Sequence, residues 1–208
     1  MALLKQSMLV AIVAAALGAG CAKGGASAAE APEGSAASED APVVGVGDAQ
    51  QAAKLATRLN EEAAKGNART VEVHARYALA LSCPCAPITL ANAPPTPTQG
   101  SYLLPVVAGG EANPADYEVV GEFRLYGHYS GEPIPLGEWL DKVGKQPHGE
   151  ATEAHLKAPY LAFVVDRWCY VPPAEGVEML AERASEDEFS ARMTKLIEQL
   201  RDEGRFCD

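Results

Sequence analysis

The sequence predicts an α+β domain: a small, strongly coiled antiparallel sheet with one helix before it and another after it. Three observations carry that prediction. Arg69–Ser82 and Tyr117–Tyr129 alternate apolar and polar residues, the period of a strand with one buried and one wet face. Pro159–Val171 opens on a continuous apolar run, as a central strand covered on both sides does. Helical periodicity brackets these strands, over Ala49–Lys65 and again over Phe189–Leu200.

The chain begins with Lys5 and then an apolar run from Met8 to Leu17. That run is too short to span a bilayer at about 1.5 Å per residue but suits the apolar region of a signal peptide. It ends Leu17-Gly18-Ala19-Gly20-Cys21, which resembles the lipobox of bacterial lipoproteins, although Gly18 stands where that family prefers leucine. The resemblance covers residues 1–21 and says nothing of the folded part. It implies that residues 1–20 are removed and Cys21 is lipidated, so that acyl chains hold the protein to a membrane at about 0.8 kcal/mol per buried CH₂. With Ala22 and Lys23 after the cysteine, similarity to lipoprotein sorting in Gram-negative bacteria implies the outer membrane, facing the periplasm or the cell surface. An ordinary cleaved signal peptide, leaving Cys21 as a spare thiol, is the alternative.

From Cys21 to Asp48 the chain is mostly Ala, Gly, Ser, Glu and Pro, with almost no large apolar residue before Val43. Such a segment cannot bury enough surface to offset the entropy of ordering it, and predicts a disordered tether reaching on the order of 30 Å. A single globular domain, 49–208, follows and is long enough for a real core. The whole chain carries 28 acidic against 17 basic residues, a formal charge of −11. No basic footprint for nucleic acid is present, which sets that class of partner aside.

Within the domain, Asp48 is placed to cap the first helix and Gly66 to stop it; Ala53, Leu55, Ala56, Leu59 and Ala63 form its narrow apolar stripe. Ala86–Gly100 holds four prolines and reads as an irregular loop. In Ser101–Ala108, Pro105 predicts an edge strand or a bulge, because proline has no N–H for a ladder. Gly121 and Gly127 fall on the apolar face of Tyr117–Tyr129, where a missing side chain lets another chain segment approach closely. Leu136–Val143 predicts a short helix with Trp139 and Leu140 inward, and Gly144–Glu153 an exposed polar connection. Ala174–Arg183 predicts a further helix, Ser185 to Glu188 has capping-box spacing, and Phe206-Cys207 is expected to dock back on the body. A helix between the third and fourth predicted strands resembles the element order of an OB-type partial barrel, although no fifth strand is visible.

The cysteines are the one constellation that carries chemistry. Beside Cys21 stand Cys83, Cys85, Cys169 and Cys207, an even number in an exported chain, which predicts two disulfides. A bond between Cys83 and Cys85 across Pro84 would be strained, so each is expected to reach Cys169 or Cys207, in a pairing the sequence leaves open. Loops of that length stabilise by about 4–5 kcal/mol in the chain-entropy account. The sharper alternative makes Cys83-Pro84-Cys85 a working thiol pair, either redox-active or a thiolate site for Cu(I) or Zn(II). Against it, no thioredoxin-like βαβ pattern surrounds the pair, and His74, His128, His148 and His155 show no ligand spacing.

Catalysis has less support. The chain has no Gly-x-Ser-x-Gly elbow, no His-Glu-x-x-His and no phosphate loop. Adjacent Asp166 and Arg167 read as a local ion pair, Glu118 and Glu122 as carboxylates sharing a solvent face, and the histidines as solvated surface. No cofactor is implied. Two functional readings stand. One is an envelope-tethered binding or structural module that meets another envelope protein or a glycan, with Arg124, Tyr126 and His128 as contact candidates from strand parity. The other is a thiol-based redox or soft-metal lipoprotein using Cys83 and Cys85.

Overall fold

A computed structural model describes residues 41–78, 88–94, 99–109, 111–146, 151–173 and 188–208. The segment expected to be a tether holds a strand: Val43–Val44 form β1, which runs parallel to the next strand at Glu72 and Val73. Asp48 caps helix α1 (Ala49–Ala64) by accepting from Gln51 N at 2.9 Å, and the chain leaves the helix through Gly66 at φ +83°. The buried face of α1 is Ala52, Ala56, Leu59 and Asn60, so small residues let the helix sit close to the barrel. Asn60 is the exception to that apolar face. Its side chain donates to Gly131 O at 3.2 Å and accepts from Gly131 N at 3.1 Å, which fastens the helix to the turn after the third long strand. Each of those backbone groups, if left unpaired and buried, would cost about 1–3 kcal/mol.

Strand β2 (Val71–Tyr77) turns Val71, Val73 and Ala75 inward, all fully buried, as its alternation requires. Its predicted continuation through Leu79 and Leu81 lies outside the described residues. The strand missing from the sequence reading is β3 (Ile88–Leu90), inside the stretch expected to be a loop. Its three residues are all buried and pair antiparallel with Ala75–Tyr77. β4 (Tyr102–Val107) pairs with β3 only at Tyr102 and Leu103, so from Leu104 onward it is an edge on that side. Pro105 falls within this unpaired length, as a residue without an N–H should. Its carbonyl accepts from Trp139 Nε1 at 2.9 Å and Asn113 Nδ2 at 3.1 Å, side chains standing in for the absent strand.

β5 (Glu122–Tyr129) is shorter than the expected Tyr117–Tyr129. Tyr117 and Val119 are buried, but they precede the ladder: Val119 N bonds to Tyr117 O, and the chain turns at Gly121 with φ +127° under the ring of Tyr170. β6 (Ile134–Pro135) leads into helix α2 (Leu136–Val143), which buries Leu136, Trp139 and Leu140 and ends on Gly144 in the left-handed region. Between the end of the expected polar connection and the next strand lies one element that the sequence reading passed over, the short helix α3 (Glu153–Lys157), capped by Thr152. β7 (Pro159–Val171) is the long central strand. β4 lies parallel to its first half and β5 antiparallel along most of its length. Helix α4 (Glu188–Asp202) buries Ser190, Met193, Ile197 and Leu200; the helix predicted over 174–183 and the cap at Ser185 lie outside the described residues.

The sheet closes. Following hydrogen-bonded neighbours gives β2–β3–β4–β7–β5 and back to β2, a five-stranded mixed barrel of small OB-like form with β1 and β6 as additions. Once β3 is counted, the α2–α3 segment falls between the fourth and fifth barrel strands. Closure leaves the barrel strands few free edges and fills the interior with inward side chains. A chain of aromatic contacts, two of them edge-on, links that interior to the segment before β5 and to the tail: Tyr117 to Trp168, Trp168 to Phe123, Phe123 to Tyr170, and Tyr170 to Phe206, with centroids 5.4–5.8 Å apart.

Phe206 belongs to the tail, which docks as expected. After Gly204, Arg205 O accepts from Tyr170 N at 2.7 Å and Cys207 N donates to Tyr170 O at 2.9 Å, laying the tail parallel to β7. Cys169 and Cys207 are bonded to each other, Cα–Cα 5.0 Å. This corrects the expected crossing of Cys83 and Cys85 to Cys169 and Cys207. The tail returns beside β7 itself, so the nearest thiol to Cys169 is the one on its new neighbour. Cys83 and Cys85, like Cys21, lie outside the described residues. Among the described residues no helix is long and apolar enough to cross a membrane.

Candidate functional site

Among the described residues, two clefts and one sheet face are candidates. The first cleft, about 350 Å³, is a shallow open wall formed by α1 and Gly100, with Lys54, Arg58 and Glu61 on it. The second, about 290 Å³, lies where β4 outruns β3, between Val107, Trp139 and Val143. Its polar groups are already committed. Trp139 and Asn113 both serve Pro105 O, while Asp116 accepts from Asn113 N at 3.1 Å and pairs with Lys145 at 3.0 Å. The first is too open to enclose a ligand, and in the second Trp139, Asn113 and Asp116 are engaged within the fold.

The outward face of β2, β5 and β7 is different. Strand pairing places side chains in rows: Glu72 beside Tyr126 beside Arg167, and His74 beside Arg124 beside Cys169. Directly paired residues of antiparallel strands share a face, so these six side chains and Glu122 form one patch. A bulge between Tyr126 and Gly127, where Asp166 is the extra residue of β7, bends the strands at the patch's end.

His74 holds the centre. Its Nε2 lies 2.9 Å from Glu72 Oε1 and its Nδ1 2.7 Å from Glu122 Oε1, with the imidazole 16% exposed. It is therefore not the solvated surface histidine that its place on the polar side of β2 suggested. Arg124 Nε stands 3.9 Å from the same Glu122 oxygen, too far for a hydrogen bond, and makes none to the described residues. Arg167 is not paired with Asp166 as its neighbourhood in sequence implied. Its guanidinium lies over the Tyr126 ring, 4.2 Å from the centroid.

The other predicted groups separate. Glu118 does not share a site with Glu122: it lies before β5 and pairs with Arg192 of α4 at 3.1 Å, and together with burial, the larger cause, it pushes the Tyr77 phenol up. Arg76 donates to Ala93 O, and His155 caps α3 with Thr152. His128 shares the outward side of β5 with Arg124 and Tyr126, opposite Val164. Tyr117 donates to Glu203 at 2.5 Å, a bond that holds Glu203 below the usual carboxylate range and, after burial, helps raise Tyr117. No group of three or more His, Cys, Asp and Glu side chains fit to hold a metal occurs among the described residues.

Of the three contact candidates, Arg124 and Tyr126 thus sit in the patch and His128 at its border, while Arg167 and His74 were passed over. Arg167 was visible only through register: nothing local shows that it faces Tyr126 rather than Asp166. Comparison with family models, with curated proteins and with solved structures finds no match to this chain.

Proposed function

We propose that the protein is a lipid-anchored module of the bacterial cell envelope that binds another envelope component through the outward face of β2, β5 and β7. Cys21 carries the acyl chains, and the segment before β1 supplies reach. The observation that carries the reading is the patch itself: arginine, tyrosine and histidine side chains are gathered in register on one outward face, while one cleft is an open wall and the other has Trp139, Asn113 and Asp116 engaged within the fold. Tyrosine and arginine dominate the energetics of binding surfaces because each brings large area and directional polarity at modest entropic cost. Two measurements test it. Cys21→Ser should move the chain from the membrane pellet to the soluble fraction; retention in the pellet would contradict the anchor. Hydroxyl-radical footprinting should oxidise Tyr126 several-fold more slowly in intact cells than in the purified protein, with Phe189, 46% exposed on α4, as the reference. Equal rates at Tyr126 would remove the binding face.

A second reading rests on the Cys169–Cys207 bond. It takes up both partners that the crossed pairing offered Cys83 and Cys85, which favours a working dithiol at Cys83-Pro84-Cys85. Such a pair would pass two electrons and two protons to the disulfide of a partner protein, or hold Cu(I) or Zn(II) as thiolates. Free thiols, a mutual Cys83–Cys85 bond or bound metal would support it, and two metal-free cysteines bonded to other partners would dismiss it.

A further inference from the structure

The patch holds an uneven distribution of charge. Both of its carboxylates turn to one residue: Glu72 and Glu122 flank His74 at 2.9 and 2.7 Å. Arg124 is left with Glu122 at 3.9 Å and no hydrogen bond from Nε. Arg167 has the Tyr126 ring and no carboxylate within ion-pair distance among the described residues. Arg124 stands opposite Cys169 and Arg167 opposite Tyr126, so the two are diagonal neighbours on adjacent strands, roughly 7–8 Å apart at the backbone. The two carboxylates and two arginines of the patch balance, so on a chain of net charge −11 the face is a locally neutral area.

We infer that the face docks a protein partner through carboxylates of that partner, received by Arg124 and Arg167 beside the ring of Tyr126. The inference rests on the reading of this face as the binding surface and adds the partner and the contact chemistry. A guanidinium stacked on a ring is held in one plane, with its N–H fork free to meet a carboxylate two-pronged, which a lysine cannot do. The face is a run of open sheet outside both of the clefts described, and it suits a second broad surface. The net charge selects among broad partners. A polyanion, whether nucleic acid or an acidic polysaccharide, is repelled by the molecule as a whole. A protein surface that offers isolated carboxylates among neutral or basic residues meets the two arginines without that repulsion, and Tyr and Arg are enriched where proteins meet.

The test uses the full chain in its own envelope, with a photo-crosslinking amino acid in place of His128 and, as reference, in place of Thr57 on α1. The expected result is a product from position 128 and not from 57 that protease digests and glycan hydrolases leave intact. It should fall at least ten-fold in an Arg124→Gln/Arg167→Gln variant. Arg124→Lys/Arg167→Lys should restore only part of it, and Lys54→Gln should leave it unchanged. Circular dichroism of each variant reports that the fold is kept. A product indifferent to the Gln pair overturns the carboxylate contacts, and one removed by glycan hydrolases overturns the protein partner, while either leaves the face as the binding surface. A folded chain with no product from position 128 overturns both the inference and the reading beneath it.

Discussion

Replacing Gly127 with alanine should lower the thermal midpoint by about 6–12 °C or prevent folding altogether, the largest effect expected of any single methyl group here. A Cβ at this position would stand 1.9 Å from Val164 O and 3.2 Å from Asp166 N. Those are backbone atoms at the bulge where β5 crosses β7, so the clash cannot be relieved by turning a side chain. Either the bulge opens, breaking ladder bonds on both sides, or β5 moves away from the strand it closes against. Overpacking a well-formed core costs typically about 1–3 kcal/mol, and a backbone clash at a barrel seam belongs at or beyond the top of that range. A thermal scan of the variant by circular dichroism is the check. An unchanged midpoint would mean that β5 and β7 are not packed at this seam as described.

The second large effect concerns the tail. Removing the Cys169–Cys207 bond with a Cys169→Ser/Cys207→Ser double substitution should destabilise the chain by about 4 kcal/mol in the chain-entropy account, for a loop whose ends are 38 residues apart. More follows than entropy. The bond holds Phe206 against Tyr170 and keeps Arg205 and Cys207 hydrogen-bonded to Tyr170. Losing it frees the edge of β7 beside Tyr170, and an unpaired strand edge invites association between copies. Urea unfolding should therefore show a lower midpoint, and light scattering a concentration-dependent growth absent from the parent. A variant with the parent's midpoint would show that the tail is held by packing alone.

How much of this was legible beforehand follows from how local each determinant is. Alternation in β2 and β5, the apolar run of β7 and the caps of α1 are written in neighbouring residues, and each of these elements forms within the stretch expected for it. Gly127 was readable as a close-approach position because it interrupts an apolar face. β3 was not, since three buried residues in a proline-rich setting carry too short a period to register. Nor was the true start of β5: Tyr117 and Val119 keep the apolar parity of a strand although the chain turns at Gly121. The binding patch was legible by half. Parity puts Arg124 and Tyr126 on the outer side, but only pairing shows that β7 brings Arg167 to the Tyr126 ring, or that His74 engages the acids of two strands. The disulfide was the least legible, because it depends on the tail returning alongside the strand that carries Cys169.

That return closes the edge of β7 beside Cys169, the residue that ends the row of His74 and Arg124. Peptide mass spectrometry of the protein, alkylated before any reduction, tests it directly. A linked peptide joining Cys169 to Cys207, with Cys83 and Cys85 recovered apart from both, is the predicted result. Cys169 or Cys207 joined to Cys83 or Cys85 would contradict the tail's placement beside β7.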